Sequence, residues 1–115
     1  MLYYRNVDQA AAWRLITGGY GCRILDVRDP EEYEKGHLPG AINVPLHQIT
    51  KRVPYLMPNR RRPLLVYCGS GARRLPAAQV LSVMGYGNLY NLQRGIANWP
   101  YGLSTENSYF YTEFE

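Results

Sequence analysis

Apolar residues along this chain gather into short runs separated by polar turns, and the runs show two different periods. ILDV (24–27), AINV (41–44) and LLVY (64–67) are four-residue runs of the kind a strand carries when both its faces are covered. Asn88 to Leu92 reads as a last short strand. Between these runs lie helical patterns. Asn6 followed by Gln9 is spaced as a capping pair and predicts a helix over 7–16, ended by Thr17-Gly18-Gly19. DPEEYEKG (29–36) offers Asp29 as N-cap, Pro30 at the first helical position, acids in the first turn and Gly36 as a stop, which predicts a helix of barely two turns. Leu46 to Met57 reads as mixed helix and turn, because Pro54 and Pro58 interrupt it. From Pro76 onward Ala77, Val80, Leu81 and Met84 fall on one helical face, with Gly85 as the stop. GIANWP (95–100) predicts one helical turn halted by Pro100. Strands alternating with helices imply an α/β fold on a parallel sheet with right-handed crossovers.

Length sharpens this to one domain, since 115 residues bury a single core. We place it at 1–102 and treat 103–115, aromatic and acidic without either period, as a tail that packs on the domain or is disordered. With 46% hydrophobic and 19% charged residues the chain is an ordinary folded protein. A formal charge of +4 serves solubility and does not point to nucleic acid, and Arg60, Arg61 and Arg62 read as a solvated loop. Two cysteines without an apolar leader suggest a reducing compartment, so a cytoplasmic location is expected; separately, the chain is expected to be a monomer. No stretch reaches the roughly 18 apolar residues of a membrane span.

The candidate chemistry lies in CGSGARR (68–74), directly after the LLVY strand. Ligands of an open parallel sheet bind beyond the carboxyl ends of its strands, where helix N-termini point their unpaired amides. Gly69 and Gly71 allow the backbone to turn successive N–H groups toward one point, an anion nest centred near the Cys68 sulfur. Arg73 and Arg74 add positive charge. Such surroundings lower a thiol from its usual pKa of about 8.5 into the range of roughly 3.5–7.5 and make a nucleophile of it. The local motif admits two registers. Counted to Arg73 it is C-x4-R, as in sulfur-transfer loops; counted to Arg74 it is C-x5-R, as in cysteine phosphatases.

With DVRDPEEYEKGHLPGAINVP (26–45), VYCGSGARR (66–74) and GYGNLYNLQRGIANW (85–99) in order, the chain resembles the rhodanese-like, or sulfurtransferase, family. The resemblance implies a three-layer fold with a central parallel sheet of about five strands flanked by helices. It implies that Cys68 accepts a sulfane sulfur as a persulfide, with thiosulfate as a donor and cyanide or a thiol as acceptor, and without metal or cofactor. The family's loop amides map onto Gly69, Ser70, Gly71, Ala72 and Arg73, with Arg73 and Arg74 as substrate-binding cations. Converging amides are suited to a diffuse anionic sulfur. Asp26 is expected to brace the loop and Arg28 to pair with Glu32, and His37 to be tied to nearby backbone. A thiol, a carrier protein or an acceptor protein would be served by the same loop.

Two further readings stand beside this one: a C-x5-R phosphatase, and a binding module that keeps the fold without turnover. Tyr67 before the cysteine, Leu75 after Arg74, and Pro76, which keeps Leu75 from helical geometry, favour the shorter register. Arg74 and Arg94-Gly95 depart from the family's usual Ser or Thr and paired glycine, which bears on substrate choice. Cys22 precedes its strand whereas Cys68 follows a neighbouring one, so the two are expected at opposite ends of the sheet and beyond disulfide reach.

Overall fold

The computed structural model describes residues 3–69 and 77–106. Five strands, β1 (Arg5–Val7), β2 (Arg23–Asp26), β3 (Ile42–Asn43), β4 (Leu64–Tyr67) and β5 (Leu89–Leu92), form one parallel sheet in the order β1-β5-β4-β2-β3. Among the described residues, four α-helices connect them: α1 (Gln9–Thr17), α2 (Pro30–Lys35), α3 (Ile49–Leu56) and α4, described over Ala77–Val83.

The strands are short apolar runs because both faces are buried. Along β4, Leu64 and Val66 enter a core with Leu25, Ile49, Val53, Ala78 and Leu81, while Leu65 and Tyr67 enter a second core with Ala12, Ile24, Tyr33 and Leu38. Helices α3 and α4 thus cover one face of the sheet and α1 and α2 the other. From β2 the chain crosses outward to β3, and from β4 it crosses the other way to β5. The strand order therefore reverses between β2 and β4, and the crevice beyond their carboxyl ends is where such sheets bind ligands.

Four local expectations are corrected. The first strand, β1, was absent from the pattern; it is an edge strand of three residues, held in register by β5, with Arg5 opposite Tyr90 and Val7 opposite Leu92. Helix α1 is capped by Asp8, whose Oδ1 accepts from Ala11 N–H at 2.8 Å, and not by an Asn6–Gln9 pair. Gln9 instead donates from Nε2 to the carbonyls of Gly95 and Ala97 at 3.3 and 2.8 Å. Helix α3 runs through Pro54. The Pro54 nitrogen cannot donate to the Thr50 carbonyl, but Thr50 is exposed to solvent, and burial of Ile49, Val53 and Leu56 holds the helix on the sheet. GIANWP forms turns and no helix, because Arg94, Gly95 and Asn98 all take positive φ, at 63°, 61° and 57°.

The expected helix over 29–36 is present as α2, with Pro30 at its start, a capping box between Asp29 and Glu32, and Gly36 at its end. Beyond 102, Ser104 and His37 exchange backbone hydrogen bonds of 2.8 and 2.9 Å, and Leu103 lies against Gly36. Among the described residues no helix is long and apolar enough to cross a membrane.

Candidate active site

Registers within the sheet place Asp26 directly beside Tyr67, at the carboxyl ends of β2 and β4. The next residues, Val27 and Cys68, leave the sheet side by side, and Val27 N–H donates to the Tyr67 carbonyl at 3.1 Å. Cys68 is exposed, whereas Tyr67 and Asp26 are wholly buried. The thiol is thus carried on the rim of a rigid layer.

Beneath it lies a polar hub. Asp26 Oδ1 accepts from Arg28 N–H at 2.9 Å and from Arg28 Nε at 3.1 Å; Oδ2 accepts from Arg28 Nη2 and from the Tyr67 hydroxyl, each at 2.7 Å. Tyr67 in turn accepts from Leu38 N–H at 3.1 Å, and Arg28 Nη2 reaches the Gly36 carbonyl at 2.7 Å. The Arg28 guanidinium also stands 5.4 Å from the centre of the Tyr67 ring. A charge pair this deep persists only when neighbouring groups meet its remaining donors and acceptors, and here Tyr67 and the Gly36 carbonyl do so for Asp26 and for Arg28 Nη2. Burial, and then the neighbouring Asp26 charge, push the Tyr67 hydroxyl far above its ordinary pKa, so it stays a donor to the carboxylate.

Asp26 and Arg28 therefore brace the end of β2, but Arg28 forms its ion pair with Asp26 and not with Glu32 as expected. Glu32 is engaged at the start of α2, where its Oε1 accepts from Asp29 N–H at 3.3 Å. It still flanks the loop, since its Oε2 would lie 3.3 Å from a Cβ placed on Gly69. Of the expected anion-binding residues, Gly69 is seen beside Cys68; Ser70, Gly71, Ala72, Arg73 and Arg74 lie outside the described residues.

On the other side of Cys68 the chain returns as the turn after β5. A Cβ on Gly95 would lie 2.6 Å from the Cys68 carbonyl oxygen, so only glycine permits this approach, and its φ of 61° also favours glycine. Cys68, Arg28 and Glu32 together with Lys35, Arg94, Ile96 and Leu103 line a cleft of about 370 Å³. Lys35 escaped the motif reading, because it does not belong to the loop after β4; Arg94, noted there as a departure from a paired glycine that bears on substrate choice, is brought to the cleft by the turn after β5. The role of Tyr67 was also missed, although strand alternation puts Ile24 and Asp26 on the same face as Leu65 and Tyr67 and could have revealed it.

His37 is wholly buried, with Nδ1 at 2.7 Å from the Tyr33 carbonyl, Nε2 at 2.6 Å from the Glu106 carbonyl, and its ring stacked 3.6 Å from that of Tyr33. It is tied to backbone, as expected. Cys22 sits just before β2, at the opposite end of the sheet from Cys68, and neither cysteine is in a disulfide. Burial pushes the Cys22 thiol up to about 11, against weaker lowering by a backbone hydrogen bond and Arg62. Among the described residues no group of three His, Cys, Asp or Glu side chains is placed to hold a metal ion.

The chain is similar to known proteins in sequence and in fold. The chain is 39% identical over 67 residues to the thiosulfate sulfurtransferase PspE of Escherichia coli, a match covering 58% of this chain and 64% of that protein, under two thirds of its length. It is 37% identical over 94 residues to a sulfurtransferase of Allochromatium vinosum, covering 82% of this chain and 86% of the relative. The solved structure of a rhodanese-related protein from Thermoplasma volcanium superposes with a TM-score of 0.75 at 28% identity, over 90% of this chain and 100% of that one. The family model for the rhodanese-like domain matches residues 8–100, which include every described residue of the cleft except Leu103. Fold and family model agree: this chain belongs to the rhodanese-like domain family.

Proposed function

We propose that the protein is a sulfurtransferase that moves a sulfane sulfur from an anionic donor to a thiophilic acceptor through a persulfide on Cys68. The observation that carries this reading is the position of Cys68, exposed at the end of the central strand, at the point where strand order reverses and a cleft opens. Relatives named thiosulfate sulfurtransferase and sulfurtransferase support it.

The Cys68 thiolate attacks the outer sulfur of thiosulfate, a Cys68 Sγ–S bond forms, the donor S–S bond breaks and sulfite leaves with the electron pair. An acceptor such as cyanide then attacks the outer sulfur, the Sγ–S bond breaks and the thiolate is restored with release of thiocyanate. In this reading the amides of Gly69, Ser70, Gly71, Ala72 and Arg73 stabilise the anionic outer sulfur, while Arg73 and Arg74 orient the donor oxyanion. Asp26 and Arg28 hold the end of β2 beneath, and Glu32 borders Gly69. The partners are small-molecule donors and acceptors, and a sulfur-carrier or acceptor protein fits the same chemistry.

Mass spectrometry of the intact protein tests the proposal. Incubation with thiosulfate adds one sulfur atom, and cyanide removes it. Sulfur retained by the Cys68→Ser variant overturns the assignment; failure of the native protein to gain sulfur overturns the activity.

A further inference from the structure

Arg94 follows β5 by two residues at φ 63°, a conformation that costs an ordinary side chain about 1–2 kcal/mol and glycine almost nothing. The strain is fixed from outside the residue. Gly95 abuts the Cys68 carbonyl, Gly95 N–H donates to Leu92, and Gln9 binds the carbonyls of Gly95 and Ala97. An arginine kept in a turn that favours glycine calls for a use of its side chain. Arg94 is exposed and, among the described residues, makes no hydrogen bond or ion pair; it lines the cleft together with Cys68. The same cleft is lined by Lys35, exposed in the last turn of α2 and equally without a partner among the described residues.

Among the described residues, four charged side chains line this cleft: Arg28, Glu32, Lys35 and Arg94. Arg28 is neutralised by Asp26, so Glu32 is left against two cations. The rim carries an excess of positive charge. Ile96 and Leu103 add apolar surface, and the volume of about 370 Å³ lies in the range of roughly 300–1,000 Å³ that holds an organic ligand. That is more than a small inorganic oxyanion fills.

We infer that Arg94 and Lys35 form an outer station for a carboxylate, and that the acceptor is an organic thiol whose carboxylate lies some methylenes away from its sulfur. The inference rests on the sulfurtransferase reading above. The acceptor thiolate attacks the outer sulfur of the Cys68 persulfide, its new S–S bond forms as the Sγ–S bond breaks, and an acceptor persulfide leaves with the Cys68 thiolate regenerated. Two negative centres meet in this step, the incoming thiolate and the persulfide. Arg94 and Lys35 offset that repulsion, and the apolar wall accepts the methylenes.

The protein loaded with thiosulfate is presented with 3-mercaptopropionate or with the uncharged 2-mercaptoethanol, compared at equal thiolate concentration. The ratio of the two transfer rates favours the carboxylate thiol in the native protein and falls about tenfold in Arg94→Gly combined with Lys35→Gln, as expected for loss of charge-assisted contacts. Arg94→Gly suits the backbone at that position, so the variant folds. A second readout needs no sulfur transfer: the ratio of Cys68 alkylation by iodoacetate to that by iodoacetamide falls in the same variant. An unchanged ratio in both measurements overturns the station. Slower loading by thiosulfate with unchanged acceptor preference assigns the cations to the donor and overturns it equally. If the native protein takes up no sulfur but the alkylation ratio still falls, the sulfurtransferase reading and the thiol acceptor fail together, and only an anion site remains.

Discussion

Asp26 closes β2 and Arg94 follows β5, and both serve the surroundings of Cys68, but their circumstances are opposite. Asp26 is wholly buried and accepts from Arg28 and Tyr67; Arg94 is exposed, strained and without a partner among the described residues. The floor of the cleft is thus a satisfied network in which each group fixes the others, and the rim is charge held out toward solvent. The floor can set where the thiol stands, while the rim can change without disturbing it. Under the proposed function, position and preference fall to separate residues.

Three substitutions probe that division. Asp26→Ala has the largest expected effect, because it leaves the partly buried Arg28 charge and the wholly buried Tyr67 hydroxyl without their acceptor; removing one partner of a fully buried pair costs about 3–5 kcal/mol, which sets the upper end of the loss, read as a lower urea midpoint. A loss below about 1 kcal/mol would mean that Arg28 finds water and the floor is looser than its hydrogen bonds imply. Gly95→Ala comes next. Its Cβ would lie 2.6 Å from the Cys68 carbonyl oxygen in a left-handed backbone, so a loss of about 2–3 kcal/mol is expected together with slower alkylation of Cys68. Lost stability with unaltered Cys68 reactivity would separate the turn from the site. Arg94→Gly alone is the smallest and has the opposite sign. Release of the left-handed strain, partly offset by the greater freedom of glycine in the unfolded chain, leaves a gain of about 0.5 kcal/mol by urea titration. A loss of stability would move Arg94 from the rim into the framework.

Legibility in the sequence followed the same division. LLVY and ILDV were readable as strands because burial on both faces makes their apolar character continuous, and α2 because Asp29, Pro30 and Gly36 mark its limits. The edge strand β1 left little trace, since three residues with two exposed carry no period and depend on pairing with β5. The turn after β5 misled because Arg94 and Asn98 occupy left-handed conformations that residue type alone does not announce. At the site, Cys68, Asp26 and Arg28 could be located from motif and strand ends. The partner of Arg28 could not, because choosing Asp26 over Glu32 depends on side-chain reach in three dimensions. The same holds for Lys35, and for its meeting Arg94, a residue the motif had marked, because different elements bring the two to one cleft.

The contact between Gly95 and the Cys68 carbonyl bears on how such a protein could be remodelled. A loop transplanted after β4 from a related domain would meet a turn fitted to the backbone it replaces. Grafts that exchange both segments together should succeed where single-segment grafts fail. The smallest interchangeable unit of specificity in this fold is therefore a pair of segments distant in the chain, and recombination of relatives should preserve the pair.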